Sequence, residues 1–254
     1  MPRPASDLRE VVEGYLAELT FAPDLGTLEE PMRHALGGKR VRPVLCLATG
    51  EALGARVEDL LPAATAVELV HSFSLVHDDL PALDNDRERR GAPSVWAQHG
   101  EAAAILAGDA LLVEAMRLAL AYPSGAVARE LVDATLAMIG GQQLDLEGGA
   151  QLDHLHGLKT GALFRASVMC ALWAAEIPVD EHAQWRAFAS DVGLLFQIVD
   201  DLLDGDGYVA SVGEGEARRL ADETARRARD HLAGLAADTE VLAELVDGLA
   251  VRTS

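Results

Sequence analysis

HSFSLVHDDLPALDNDRERRG, residues 71–91, sets four aspartates (Asp78, Asp79, Asp84 and Asp86) at the end of an apolar helical run and follows them with Arg87, Arg89 and Arg90. Carboxylates packed this closely repel one another and resist burial unless a cation lies between them. Pro81 removes a helical hydrogen bond and clashes with the preceding turn, so the helix is expected to stop or kink near Asp79, with Asp84 in the turn beyond. Asp78 and Asp84 can then reach one hard cation from different backbone segments. Mg2+ takes one or two carboxylates and leaves positions for phosphate oxygens. Arg89 and Arg90 read as phosphate clamps, against the plainer reading of a solvated charged turn.

Further along the chain, FQIVDDLLD at 196–204 places Asp200 and Asp204 one helical turn apart on an otherwise apolar helix, a second acidic cluster. The segment GGKRVRP, 37–43, offers backbone amides and cations to an anion, or is an ordinary loop with a basic first turn. His71 stands seven residues before Asp78, about two turns away and on the same helix face. Taken alone it reads as a core histidine.

The pair DDLPALD and DDLLD resembles the motifs of the trans-isoprenyl diphosphate synthases, the polyprenyl synthetase family that includes farnesyl and geranylgeranyl diphosphate synthases. The resemblance runs from about Pro31 to about Asp204. It implies an all-α isoprenoid-synthase bundle around a central apolar cavity, and Mg2+ as cofactor held among Asp78, Asp79, Asp84, Asp200, Asp201 and Asp204. It further implies that Gly38, Lys39, Arg42, His71 and Arg90 bind isopentenyl diphosphate with Phe196 near them, while Arg89 serves an allylic diphosphate. GGQQLDL (140–146) and Lys159-Thr160-Gly161 resemble further family segments. Lys159 and Thr160 are then contacts to the leaving diphosphate, and Gln197 lies beside the reacting carbons. Phe73 and Ser74, five and four positions before the first aspartate, are the chain-length residues, and an aromatic at the former resembles the farnesyl pattern.

These matches imply a short-chain prenyltransferase making about a fifteen-carbon product, with twenty carbons the alternative, and acting as a homodimer. Two rivals remain: a non-catalytic regulatory subunit of a prenyl synthase, and a terpene cyclase. The intact aspartate motifs oppose the first, and GGKRVRP opposes the second, because a cyclase needs no isopentenyl site. One departure favours the first rival. The family carries a mobile, lysine-bearing lid after its second aspartate motif, whereas here Asp204-Gly205-Asp206-Gly207 runs directly into Tyr208-Val209. Either the lid is truly deleted, or a mobile loop is left out of this sequence; the second is the expectation, since active-site lids are the segments most often mobile.

The whole chain bounds the rest. At 254 residues, 50% hydrophobic and 4% aromatic, it suits one large domain spanning 1–254. Amphipathic helices are expected from Leu8 and over about 39–53, 57–80, 101–121, 126–148, 159–176, 180–204 and 215–236, and no stretch alternates as a strand would. No apolar run approaches the roughly 18–20 residues of a membrane span and no signal core opens the chain, so a cytoplasmic location is expected. A net charge of −20 argues against nucleic acid or an anionic membrane surface. Cys46 and Cys170 lack metal-ligand spacing and read as buried thiols. The only two lysines, Lys39 and Lys159, both fall in candidate phosphate-binding segments.

Overall fold

Apolar residues at helical spacing dominate the chain, and the computed structural model, which describes residues 2–252, is correspondingly helical. The helices are α1 (Ala5–Glu18), α2 (Glu29–Ala35), α3 (Val41–Ala52), α4 (Val57–Asp78), α5 (Val95–His99), α6 (Glu101–Ala119), α7 (Ala126–Glu147), α8 (Leu152–His156), α9 (Ala162–Ala174), α10 (His182–Asp204), α11 (Gly207–Val212), α12 (Glu214–Ala233) and α13 (Glu240–Ala250). Short 3-10 turns occupy Pro23–Leu28 and Val179–Glu181, and a π-helical turn covers Gly157–Gly161.

The bundle is built around α4 and α9. α4 packs against α3, α6 and α9, and α9 against α3, α7 and α10. From Ala162 to Leu172 nearly every residue of α9 is buried, Phe164 completely. Each fully buried Leu or Phe of this kind contributes about 1.5–3 kcal/mol. The amphipathic α12 lays Ala217, Ala221, Ala225, Ala228 and Leu232 on the body. Its outer face carries the exposed ion pairs Arg218–Glu214 and Arg219–Glu216, as expected for a solvated charged face. Cys46 and Cys170 are buried free thiols.

Two expectations change. The sequence carries no strand signal, yet Glu88–Arg89 (β1) pairs antiparallel with Ala92–Pro93 (β2). Arg90 (φ 58°) and Gly91 (φ 77°) form its two-residue turn, both in the left-handed region as a type I′ hairpin demands. The 22-residue α4 is also long and apolar enough to cross a membrane by composition, with a mean hydropathy of 1.2 over its most apolar window. That window is 72% buried inside the bundle, as befits a central core helix.

Candidate active site

Apolar helices meet in a cavity of about 650 Å³ between α3, α4, α9 and α10, and the segments with the strongest chemical signal open onto it. Gly38, Lys39 and Arg42 line it from GGKRVRP, His71, Ser74 and Asp78 from α4, and Arg89 and Arg90 from the hairpin. Lys159 and Thr160 enter from the π-helical turn, and Phe196, Gln197 and Asp200 from α10. One wall is therefore cationic, and the aspartates Asp78 and Asp200 face it from two helices.

Local backbone sets each group. Asp78 ends α4, and the turn beyond winds back so that the Asp84 N–H donates to the Asp78 carbonyl at 2.9 Å. This brings Asp84 beneath Asp78. Burial, against the pull of Lys159 and helped by the nearby Asp84, pushes the Asp78 carboxyl up to about 6. Asp200 is raised for the same first reason, although Arg252 beside it, 3.3 Å away, opposes the shift.

The cationic wall is anchored by carboxylates behind it. Arg89 donates through Nε to Asp79 Oδ1 at 2.9 Å and through Nη2 to Asp86 at 3.1 Å. Arg90 donates to the Gly37 carbonyl and lies across Gly38, where a Cβ would stand 2.5 Å from its Nη1. With φ at 139° as well, position 38 admits only glycine without strain. Arg42 stacks over the Phe164 and Phe196 rings at 4.5 and 5.5 Å. Its Nε is buried with no hydrogen-bond partner, the kind of donor an anion would satisfy.

His71 Nε2 lies 3.4 Å from Arg42 Nη1. Arginine only donates, so this nitrogen accepts and the ring carries its proton on Nδ1. Loss of water around the ring, then the guanidiniums of Arg42, Arg90, Arg40 and Arg89, hold its pKa well below 6.5, so it is neutral at pH 7.

Two predicted metal ligands are placed elsewhere. Asp79 is 2% exposed, paired to Arg89, and faces the hairpin rather than the cavity. Asp201 is 4% exposed, with Oδ1 taken by Gln197 Nε2 at 2.7 Å and Oδ2 by the Tyr208 N–H at 2.8 Å. Asp204 is exposed at the end of α10, one turn beyond Asp200. Among the described residues no three carboxylate, histidine or cysteine groups converge as a closed metal cage. Oxygen donors spread over two walls suit a cation that completes its shell with diphosphate oxygens, as Mg2+ does.

Several residues that sequence reasoning passed over support the site. Arg40, 4% exposed and in the left-handed region at the start of α3, pairs with Glu68 at 2.6 Å and Glu13 at 2.9 Å. Glu68 precedes His71 by three residues on one helix face, a spacing that could have flagged it. Asp145, in GGQQLDL, accepts from Lys159 Nζ at 2.6 Å. Gly141 of the same segment lets α7 approach, since a Cβ there would stand 2.6 Å from the Lys159 nitrogen.

Phe73 and Ser74 line a second, smaller cavity of about 270 Å³ that continues from Asp78 toward α7, with Met138, Ile139 and Gln142 opposite. Phe73 meets the His77 ring edge-on, with centroids 5.0 Å apart.

At the end of α10 the chain turns directly into α11. Gly205 (φ 76°) caps the helix, and α11 starts at Gly207. Gly205 and Asp206 alone link the two helices, and the Tyr208 N–H holds the link against Asp201 at 2.8 Å.

Comparison with known proteins accords with this layout. Residues 26–218 match the Polyprenyl synthetase family. The chain is 33% identical to a farnesyl diphosphate synthase of Bacillus subtilis, with 97% of this chain and 96% of that protein covered. That alignment spans 286 positions, more than the residues present here, so the relative carries segments with no counterpart in this chain. A geranylgeranyl diphosphate synthase of Cyanophora paradoxa is 38% identical over 85% of this chain and 78% of its own. Among solved structures, a geranyltransferase from Legionella pneumophila superposes with a TM-score of 0.87 at 32% identity, covering 97% of this chain and 95% of its own. A geranyltranstransferase from Thermotoga maritima gives 0.80 at 30% identity, with 96% and 94% covered. With two aspartate-bearing helix ends facing a cationic wall across an apolar cavity, and with these matches along nearly its whole length, the chain belongs to the polyprenyl synthetase family of prenyltransferases.

Proposed function

We propose that this chain condenses isopentenyl diphosphate with an allylic diphosphate in an Mg2+-dependent reaction, giving a product of about fifteen carbons, with twenty as the alternative. The observation that carries the reading is the division of the cavity into a cationic half and an aspartate half, which provides for two diphosphates rather than one. Arg42, Lys39, Arg90 and neutral His71, with the amides after Gly38, hold the isopentenyl diphosphate, and Phe196 packs beside its carbons. Arg89, Lys159 and Thr160 hold the allylic diphosphate.

Mg2+ held by Asp78, Asp84 and Asp200 would offset the negative charge that develops on the leaving diphosphate. Lys159 and Thr160 act on the same oxygens, so ionisation of the allylic carbon–oxygen bond is favoured where the product charge is met by fixed partners. Gln197 lies beside the carbons that then join. The isopentenyl double bond attacks the allylic cation, and the proton lost passes to the departed diphosphate. Apolar walls from α4, α7 and α9 exclude water that would quench the cation.

A homodimer is part of the reading. Ile105, Leu106 and Val113 of α6 and Val132, Leu136, Ile139 and Leu146 of α7 are exposed apolar residues, a concentration that suits coverage by a second copy. The chain acts as one domain, in the cytoplasm, where both substrates dissolve.

The test is incubation of purified protein with Mg2+, isopentenyl diphosphate and geranyl diphosphate, followed by dephosphorylation and chromatography. A prenyl alcohol longer by five carbons is expected. A regulatory subunit would elongate nothing, and a cyclase would release hydrocarbon from the allylic diphosphate alone.

A further inference from the structure

The second aspartate of DDLLD faces away from the cavity, and the junction beyond α10 is built around it. Asp201 receives the Gln197 Nε2–H at 2.7 Å and the Tyr208 backbone N–H at 2.8 Å. Gln197 Oε1 in turn accepts from the Thr160 hydroxyl at 2.8 Å. An ionised carboxylate has only acceptors, so it selects the nitrogen end of the Gln197 amide and turns the oxygen toward Thr160 and the reacting centre. A neutral or absent partner would leave both amide orientations open.

Asp201 is itself held by the residues just past the helix end. Gly207 (φ 45°) lies with its Cα against the carboxylate, and a Cβ there would fall well inside contact distance of Oδ2. Tyr208 is buried, its hydroxyl donates to Asp153, and its ring stands edge-on to His156 at 5.6 Å. Only Gly205 and Asp206 separate α10 from α11, which places the Tyr208 N–H within reach of Asp201.

We infer that Asp201 is a positioning residue, clamped by the Gly207–Tyr208 junction, that fixes the orientation of the Gln197 amide against Thr160, and that it is not a metal ligand. This rests on the prenyl-transfer reading for its kinetic consequence, but the geometry itself can be tested apart from turnover.

The experiment is a double-substitution cycle on the full chain. Asp201→Asn is expected to lower kcat by about 10²-fold, the scale of a misplaced group at a reacting centre, with KM for both diphosphates little changed. In a Gln197→Ala background the same substitution should alter kcat by less than about threefold, because groups acting as a unit are not additive. Full loss in both backgrounds, or recovery of Asp201→Asn by raised Mg2+, overturns the inference. Gly207→Ala, which disturbs Asp201 from the junction side, should show the same non-additivity with Gln197→Ala.

The companion readout is the 15N side-chain amide signal of Gln197, assigned by its loss in Gln197→Ala. Its hydrogen-bonded proton should move and exchange faster with water in both Asp201→Asn and Gly207→Ala. An unmoved signal in Asp201→Asn overturns the inference whatever the activity. A parent that elongates nothing while this signal still responds upholds the positioning and overturns the prenyl-transfer reading.

Discussion

Asp78 and Asp79 are neighbours in sequence but point about 100° apart around a helix, so only one of them can face a given cavity. Asp78 takes the cavity and Asp79 the hairpin arginine; Asp200 and Asp201 divide in the same way. Asp78→Ala or Asp200→Ala should therefore lower kcat by about 10³-fold or more, since in the proposed mechanism each would hold the Mg2+ that offsets charge developing on the leaving diphosphate. The melting temperature of the unliganded protein should not fall in either variant.

Titration offers a second check on the same residue. Asp78 holds its proton to about pH 6 in the folded chain, whereas an unfolded aspartate releases it near about 3.9. The folded state thus binds the extra proton inside that window, so Asp78 costs stability as pH rises from about 4 to about 6. The melting temperature of metal-free parent, measured from pH 4 to pH 7, should decline relative to Asp78→Asn across that window. The rise in melting temperature caused by Mg2+ with pyrophosphate should shrink below pH 6, where protons compete for the carboxylate.

Among the elements, helix positions are readable because apolar spacing and breakers agree: the pattern predicts 57–80 and Val57–Asp78 is found, and it predicts 126–148 where Ala126–Glu147 is found. Short elements are not readable in this way. The β1–β2 hairpin needs Arg90 in a left-handed conformation, with its side chain lying across Gly37 and Gly38, and no local preference of arginine announces that. The π-helical turn that carries Lys159 and Thr160 lies against α7 at Gly141, a long-range contact that local sequence does not announce. GGKRVRP is legible as an anion site, but Arg40 within it turns inward to Glu68 because consecutive positions at a helix start cannot share one face. The helix bearing Phe73 makes its own prediction. If the ring sets the depth of the 270 Å³ cavity, Phe73→Ala should lengthen the product by at least one isoprene unit. Unchanged chain length on chromatography would remove Phe73 from that role.

Across the whole molecule, the exposed apolar residues of α7 reach the 270 Å³ cavity through Ile139 and Leu146, and those of α6 lie exposed apart from it. Val113→Asp combined with Leu136→Asp should convert a dimer to a monomer in sedimentation velocity without unfolding it, because both side chains are exposed within one chain. A dimer that persists would put the subunit contact on another face. The joining of two diphosphates in one divided cavity is open to a measurement of stoichiometry. With Mg2+, geranyl diphosphate and labelled isopentenyl diphosphate, one inorganic diphosphate should be released for each isopentenyl unit incorporated, and almost none when isopentenyl diphosphate is omitted. Diphosphate release that proceeds equally without isopentenyl diphosphate, or incorporation that never occurs, would contradict that division of the cavity.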